Sequence, residues 1–301
     1  MELYCIIVTY NGQKWIRRCL DSVLEEGTPN VGIVVVDNAS TDDTLSILHD
    51  GYPQVHLIGN RENKGFGQAN NQGISYARGM GATHFLLLNQ DAALRPGSLA
   101  RLLAVQQQND LPLVSPFHLD GTGRWLDEGF YSFVDGRALF SDLFNGCPQA
   151  YYDVPFVNAA CWLLPRQTVE RIGGFDPVFF QYGEDVDYCR RLIYHGGHPS
   201  VIPGAVIYHD RGKKGDASAW AKNSILSELL LAYGIRPSSP RIRRQFHLRN
   251  LKTAVYDLCT LRFDALGNIL HGYRAFLGRL PELRRHVKQN RQTGPNWLSC
   301  K

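Results

Sequence analysis

No apolar run in this 301-residue chain approaches the roughly 18 to 20 residues that a membrane-spanning helix requires; the longest, in VGIVVVD and FLLLN, are far shorter. A chain that crosses the bilayer as helices is thereby excluded. The stretch MELYCIIVTYNG has no basic flank before its apolar run and no small-residue cleavage site after it, so a secretory leader is not expected and the cytoplasm is the expected compartment. The seven cysteines (Cys5, Cys19, Cys147, Cys161, Cys189, Cys259 and Cys300) include no CxxC pair and no zinc-like spacing. That argues against a zinc ribbon or a disulfide scaffold and points to reduced thiols. Internal repeats and low-complexity segments are also missing. The GxG at Gly65 and Gly67 lacks the third glycine of a dinucleotide-binding fingerprint.

What remains is an ordinary globular composition, 44% apolar and 20% charged, large enough for one sizeable α/β domain and an appendage. The net charge of +4 conceals a split. Residues 236 to 301 hold 14 Lys or Arg against three acids, so the rest of the chain is net acidic. We expect a body over 1–215 and a basic, mainly helical C-terminal extension over 216–301. An anionic membrane surface is the first partner to consider for that extension. Packing on the body and pairing with a second copy as a homodimer are the other options, and nucleic acid has no motif behind it.

Strand and helix patterns alternate from the start. LYCIIVTY reads as a strand, NGQKWIRRCLDSVLEEG as a helix and VGIVVVDN as a strand. Ser40 or Thr41 is placed to cap a helix through DDTLSILHDGYP. VHLIGN, GFGQANNQGISYARGMG and THFLLLN continue as strand, helix and strand. This order predicts an α/β fold with a mostly parallel central sheet and helices on both faces. Residues 112 to 160 read as irregular strands and hairpins. Helical character returns in PRQTVERIGGFDPVFF and GEDVDYCRRLIYHGG, a short strand follows at AVIYHD, and the chain is mostly helical beyond Gly215.

Ligands of such sheets bind outside the carboxyl ends of the strands. Three polar clusters fall there: Thr9-Tyr10-Asn11, Asp37-Asn38-Ala39-Ser40 and Asn89-Gln90-Asp91. Each carries groups able to hydrogen-bond a nucleotide or hold a metal. Competing structural roles are plain: Asp37 in an N-cap cluster, Asp91 capping a helix toward Arg101, Asp185 as a helix-start carboxylate, His209 as a packed residue and Trp162 in the core.

Taken in order, IIVTYNG, VVVDNASTDDT, NKGFGQANNQGI, FLLLNQDA, GGFDPVFFQYGEDVDYCRRL and YHD resemble the family 2 glycosyltransferases. These include bacterial polysaccharide and rhamnosyl transferases, and they have the Rossmann-like GT-A fold of nucleotide-diphospho-sugar transferases. The resemblance covers roughly residues 3 to 212. It implies inverting transfer of a sugar from a nucleoside diphosphate sugar to a hydroxyl of a glycan or lipid-linked glycan in cell-surface polysaccharide assembly.

It further implies Mg²⁺ or Mn²⁺ bound by Asp91 with His209. The family's DxD motif stands here as Asn89-Gln90-Asp91, which assigns the leading amide to ribose or a metal-bound water. By the same resemblance Asp37 accepts the N3–H of uracil or thymine, which favours UDP or dTDP donors, and Tyr10 stacks on the base. Thr9, Asn11, Asn38, Lys64, Gly65, Asn71 and Gln90 complete the donor site. Asp185 is the base that deprotonates the acceptor, with Glu184 and Trp162 on the acceptor side. A sugar nucleotidyltransferase would instead carry a glycine-rich basic loop after the first strand, where this chain has TYNGQKW. A noncatalytic nucleotide-sugar-binding module would be expected to lack Asp91 or Asp185.

Overall fold

The computed structural model describes residues 2–28, 31–211 and 217–299, with backbone alone for 217–222; Cys300 and the expected domain boundary at 215 fall outside them. The unbroken apolar runs form strands buried on both faces. β1 (Leu3–Thr9), β2 (Val31–Asp37), β3 (His56–Gly59) and β4 (His84–Asn89) lie parallel in the order β3-β2-β1-β4. Between them run α1 (Ile16–Leu24), α2 (Thr44–Gly51) and α3 (Phe66–Gly79). Alternation along the strands divides two cores. Cys5, Ile7, Leu86 and Leu88 pack with Ile16, Leu20 and Val23 of α1, whereas Ile6, Phe85 and Leu87 pack with Ala69, Ile74 and Ala77 of α3.

Two local expectations change. The first helix begins at Ile16 rather than near Asn11, because Gly12 turns the chain: its N–H donates to Thr44 Oγ1 (2.8 Å) and its carbonyl accepts from Trp15 and Ile16. Neither Ser40 nor Thr41 caps α2. Ser40 Oγ accepts the Asn11 N–H instead (2.9 Å), and the Asp42 carboxylate takes the Thr44 N–H (3.0 Å).

The second half of the sheet is mixed. It holds β5 (Ala92–Leu94), β6 (Leu113–Asp120), β7 (Tyr152–Asp153), β8 (Cys161–Pro165) and β9 (Pro199–His209), and continues from β4 as β8-β6-β9-β5. β6 runs parallel to β9, while β8 is antiparallel to β4 and β5 is antiparallel to β9. Helices α4 (Ser98–Asn109), α5 (Glu128–Phe133), α6 (Arg137–Phe144), α7 (Arg166–Ile172) and α8 (Glu184–Tyr194) complete this half. Thus 112–160, expected as strands and hairpins, holds two short helices. Asp127 caps α5 by accepting the Phe130 N–H (2.7 Å), and Phe130 and Leu139 drop into the core.

The basic C-terminal segment packs on the body. It comprises α9 (Ala217–Tyr233), α10 (Pro240–Cys259) and α11 (Phe263–Asn290). Leu229, Leu230, Phe276 and Leu283 from α9 and α11 form a third core around Val178 and Phe179, in the segment that leads to α8. Beside it, Asp176 is 2% exposed and pairs with His286 Nδ1 (2.6 Å), while accepting from Asn290 Nδ2 (2.7 Å) and Val178 N–H (2.9 Å). The chain then returns to the sheet layer, where Asn296 O accepts the Gly174 N–H (2.8 Å) and Ser299 N–H donates to Ser75 Oγ (3.1 Å).

Removing the carboxylate would strand these buried donors. Asp176→Ala is therefore expected to lower stability by about 3 kcal/mol, read from the denaturant midpoint at constant slope; a midpoint unchanged from the parent would show that the C-terminal packing does not depend on it.

Candidate active site

β1, β2 and β4 end side by side, with Thr9 opposite Asp37 and Val8 opposite Asn89. Gln90 ties two of these ends together. Its Oε1 accepts from Thr9 Oγ1 (2.6 Å) and Tyr10 N–H (3.0 Å), and its Nε2 donates to Tyr10 O (3.2 Å). Asn38 holds the following loop, donating from Nδ2 to Gly65 O (3.2 Å) and accepting from Asn60 Nδ2 (2.9 Å). Gly65 has φ +81°, and a Cβ there would sit 2.1 Å from the Phe180 carbonyl oxygen, so only glycine allows this approach. The result is a cavity of about 360 Å³ lined by Tyr10, Asn38, Gly65, Asn89, Gln90, Asp91, Phe180 and Gln181, among others. Asp37, 1% exposed, accepts the Ser40 N–H on Oδ2 (3.0 Å), and its Oδ1 is buried without a partner.

Several expected donor contacts are instead supports. The Thr9 hydroxyl is given to Gln90 and its carbonyl accepts the Asn38 N–H (2.8 Å), so its backbone is already used. Asn11 braces the neighbouring loop, its Oδ1 accepting the Thr41 N–H (2.8 Å). Lys64 is not among the cavity-lining residues, and its backbone N–H points to Asn38 Oδ1 (3.4 Å). Asn71 is turned away altogether: both ends of its amide bond the Phe175 backbone, each at 2.7 Å, which clamps α3 to the 173–183 segment. On the acceptor side Trp162 is core. It is 0% exposed, stacked 5.9 Å from Phe175 and 5.5 Å from Tyr188, because its position on β8 faces the α3 side of the sheet.

The pairing of β5 with β9 sets Ala92 opposite His209 and so brings Asp91 to the histidine. His209 Nε2 lies 3.4 Å from Asp91 Oδ1, and Nδ1 lies 3.3 Å from Asp127 Oδ2. Burial alone would lower the His209 pKa, but the carboxylates of Asp127 and Asp91 outweigh it and raise it. Burial opposes the charge of Asp127 too; hydrogen bonds from His209 and Arg211 nevertheless hold its carboxyl well below the usual range. Arg211 grips Asp127 with two bonds, 2.6 and 2.9 Å.

This arrangement suits a divalent cation. Ligand atoms at octahedral distances lie about 3 Å apart, close to the 3.4 Å between Asp91 and His209. Asn89 Oδ1 is buried and unpartnered nearby in the sequence and on the same cavity wall. Asp127 on the far side of the imidazole orients Nε2 toward Asp91. Among the described residues His118, Asp127 and His209 also cluster, with ligand atoms within 4.8 Å of one another. Asp127 is committed there to Arg211 and to the α5 cap, which leaves the Asp91 side of His209 as the open one. Sequence reasoning missed Asp127 and Arg211. The only available signal was an Asp ahead of a short helix, and nothing local ties it to His209.

A second cavity, about 410 Å³, is lined by Phe133, Phe156, Asn158, Tyr182, Gly183, Glu184, Asp185 and Arg211, among others. Glu184 is 7% exposed with Oε2 unpartnered, and Asn158 Oδ1 is likewise unpartnered. Asp185 is half-buried and accepts the Val186 N–H (2.8 Å). Burial raises both carboxyls of this coupled pair, and for Glu184 the charge of Asp185 adds to it. The loop before α8 walls both cavities: Phe180 and Gln181 line the first, Tyr182 and Gly183 the second. Ser227 of α9 fixes it from behind by donating to Tyr182 O (2.6 Å), where Tyr182 adopts φ +69°.

A family model described as glycosyl transferase family 2 matches residues 4–173, more than half of the chain. The chain belongs to glycosyl transferase family 2. This family 2 chain is 25% identical over 252 residues to the dTDP-rhamnosyl transferase RfbF of Shigella flexneri, covering 83% of this chain and 78% of that protein. It is 26% identical over 230 residues to an N-acetylglucosaminyl-diphospho-decaprenol L-rhamnosyltransferase of Mycobacterium tuberculosis, covering 68% and 75%. The solved structure of S. aureus TarS 1-349 in complex with UDP-GlcNAc superposes with a TM-score of 0.55 at 15% identity, over 97% of this chain and 88% of that one. The GT-A fold expected from the motifs is the fold observed, and family membership sets aside the nucleotidyltransferase alternative.

If Asp127 orients His209, Asp127→Asn should weaken Mn²⁺ binding by about 10- to 100-fold without itself touching the ion. Electron paramagnetic resonance of free Mn²⁺ during titration measures this, and an unchanged affinity would remove Asp127 from that role.

Proposed function

We propose that this protein is a metal-dependent inverting glycosyltransferase that moves one sugar, a hexose or deoxyhexose, from a UDP- or dTDP-sugar to a hydroxyl of a glycan or lipid-linked glycan in cell-surface polysaccharide assembly. The observation that carries this reading is the single loop, 180–183, that walls two cavities. One is lined by Asn89, whose Oδ1 is unpartnered, and by Asp91, which has His209 beside it; the other has the Glu184–Asp185 pair. A donor and an acceptor held on either side of that loop would meet across it.

In this reading Asp37 Oδ1 accepts the pyrimidine N3–H, a bond its burial makes selective. Tyr10, 47% exposed at the cavity, stacks on the base. Asp91 and His209 hold Mg²⁺ or Mn²⁺, with Asn89 adjacent. The cation, when bound, supplies Lewis-acid neutralisation of the departing diphosphate. Asp185 takes the proton of the acceptor hydroxyl as its oxygen attacks the anomeric carbon opposite the leaving group, which inverts that centre. Glu184, kept protonated by burial over a wider pH range than an ordinary glutamate, donates a hydrogen bond to the acceptor. The names of the two rhamnosyl transferase relatives support a dTDP-deoxyhexose donor and a lipid-linked diphosphate acceptor. Such an acceptor would hold the enzyme at the cytoplasmic face of a membrane.

Calorimetric titration with UDP, dTDP, GDP and ADP, with and without Mn²⁺, is expected to give metal-dependent binding of a pyrimidine diphosphate; failure of all four would overturn the donor assignment. Asp185→Asn should reduce kcat by about 10²- to 10⁴-fold while the donor dissociation constant stays put. Donor binding by the parent protein with no transfer to any hydroxyl would instead leave the noncatalytic module standing.

A pH profile adds an independent check. The base acts only when ionised, and burial raises its pKa, so kcat/KM should fall on acidification with a midpoint above the ordinary aspartate value of about 3.9. A midpoint at or below that value would contradict a buried base.

A further inference from the structure

Helix α10 is built inside out. Its buried side chains are Asn250 and Asp257, whereas Leu248, Leu251, Val255 and Leu258 are 44, 61, 53 and 54% exposed. Their 3-4-3 spacing puts these four on one stripe of the helix. Beyond the helix end Leu261 and Phe263 are 70 and 60% exposed. Leu270 and Leu277, seven and fourteen residues past Phe263 and therefore on one line of α11, are 60 and 63% exposed. Missing packing partners do not explain this exposure. α11 buries Ile269, Phe276 and Leu283 on its other face, and Phe246 and His247 of α10 face inward beside Tyr233 and Tyr273. Exposed apolar stripes of this kind mark a place that something covers.

The charge around the stripe selects what covers it. Residues 240 to 279 hold eight Lys or Arg against two acids, and one of those acids, Asp257, is buried. Arg241 and Arg244 continue the line of the leucine stripe toward the start of α10 and Lys252 lies beside it, all three exposed. A second copy docked on the same stripe would bring cations against cations, because a two-fold interface meets itself. Nucleic acid would match the charge and leave the leucines uncovered. An anionic bilayer matches both, since apolar side chains enter the boundary between headgroups and acyl chains while Lys and Arg reach lipid phosphates.

We propose that the exposed stripe of α10 and the turn into α11 form a docking surface for an anionic lipid bilayer, on which the protein lies without spanning it. No helix among the described residues is long and apolar enough to cross a membrane. The surface also bears on the site already described. The docked bundle is the one whose Ser227 holds Tyr182 and whose Leu229, Leu230 and Phe276 hold Val178 and Phe179. It thereby couples the bilayer to the loop that walls the acceptor cavity.

The test uses the full chain without nucleotide, so it does not depend on sugar transfer. Co-sedimentation with phosphatidylcholine vesicles, with and without phosphatidylglycerol, is expected to show partitioning only to the anionic vesicles, weakened by salt. R241Q/R244Q/K252Q should reduce partitioning by about two orders of magnitude, near fivefold per residue. L251S/V255S/L258S should abolish it. Both variants should keep the parent melting temperature, and the charge variant, confined to exposed side chains, reports even if the apolar one misfolds. Equal recovery with neutral and anionic vesicles, or charge variants that partition like the parent, would overturn the proposal. So would a lipid-free dimer that L251S/V255S/L258S dissolves, which would assign the stripe to a second copy.

Discussion

The site depends on a three-residue strand. Ala92–Leu94 pairs antiparallel with the last residues of β9, and that short ladder carries Asp91 to His209 across 118 positions of sequence. Without it Asp91 would follow β4 into the loop, and His209 would be left with His118, Asp127 and Arg211. The ladder is stable because all three of its residues are buried, Ala92, Ala93 and Leu94 alike, and because the Asp91 carbonyl accepts the Asp210 N–H (2.8 Å) as one further rung. A small apolar tripeptide thus fixes the geometry of a polar centre.

Around that centre the electrostatics are unbalanced in one direction. Asp37 Oδ1, Asn89 Oδ1, Asn158 Oδ1 and Glu184 Oε2 are all buried oxygens with no partner. A buried unsatisfied polar atom costs about 1–3 kcal/mol, and native structures hold few of them. Asn89 lines the first cavity, Asn158 and Glu184 line the second, and Asp37 ends β2 next to Asn38 of the first, so these acceptors are spread over the two cavities and suit donors of three kinds: N–H groups, hydroxyls or a cation. The proposed nucleoside diphosphate sugar with its metal, facing a hydroxyl acceptor, would supply all three kinds. Deeper in, Arg211 grips Asp127, which also caps α5, and His209 lies between Asp127 and Asp91, so these groups form the back wall of the site.

The C-terminal helices serve a second constraint. The segment 173–183 has little regular structure of its own, yet it bears both cavity walls and opens α8 with Glu184 and Asp185. It is held from three sides: by Asn71 of α3 at Phe175, by His286 and Asn290 of α11 at Asp176, and by Ser227 of α9 at Tyr182. The helices therefore stabilise the walls of the two cavities while presenting an apolar and basic outer face. Their positive charge was legible in the sequence. Their packing was not, because α10 mixes exposed leucines with a buried Asn and Asp, contrary to the pattern by which amphipathic helices are read.

By itself the sequence determined the strands, since runs such as IIV, IVVV and FLLL bury on both faces of a parallel sheet whatever surrounds them. It also determined that polar residues end those strands, and hence where a ligand would sit. Asp37 and Asp91 were legible as candidates for that reason, Glu184 and Asp185 through the resemblance that GEDVDYC carries. Tertiary structure decided which polar residues face the cavities and which serve as struts. Thr9, Asn11 and Asn71 are polar like Asn89, but partners brought from elsewhere in the chain take the Thr9 hydroxyl, the Asn11 Oδ1 and both ends of the Asn71 amide, while Asn38 braces its loop and still lines the cavity. Trp162 reads either as core or as an acceptor-side residue, and its place on β8 decides for the core. Asp127 and Arg211 became part of the site only through the meeting of α5 with the end of β9. Burial and pairing across many tens of residues are properties of the folded chain, and no local pattern encodes them.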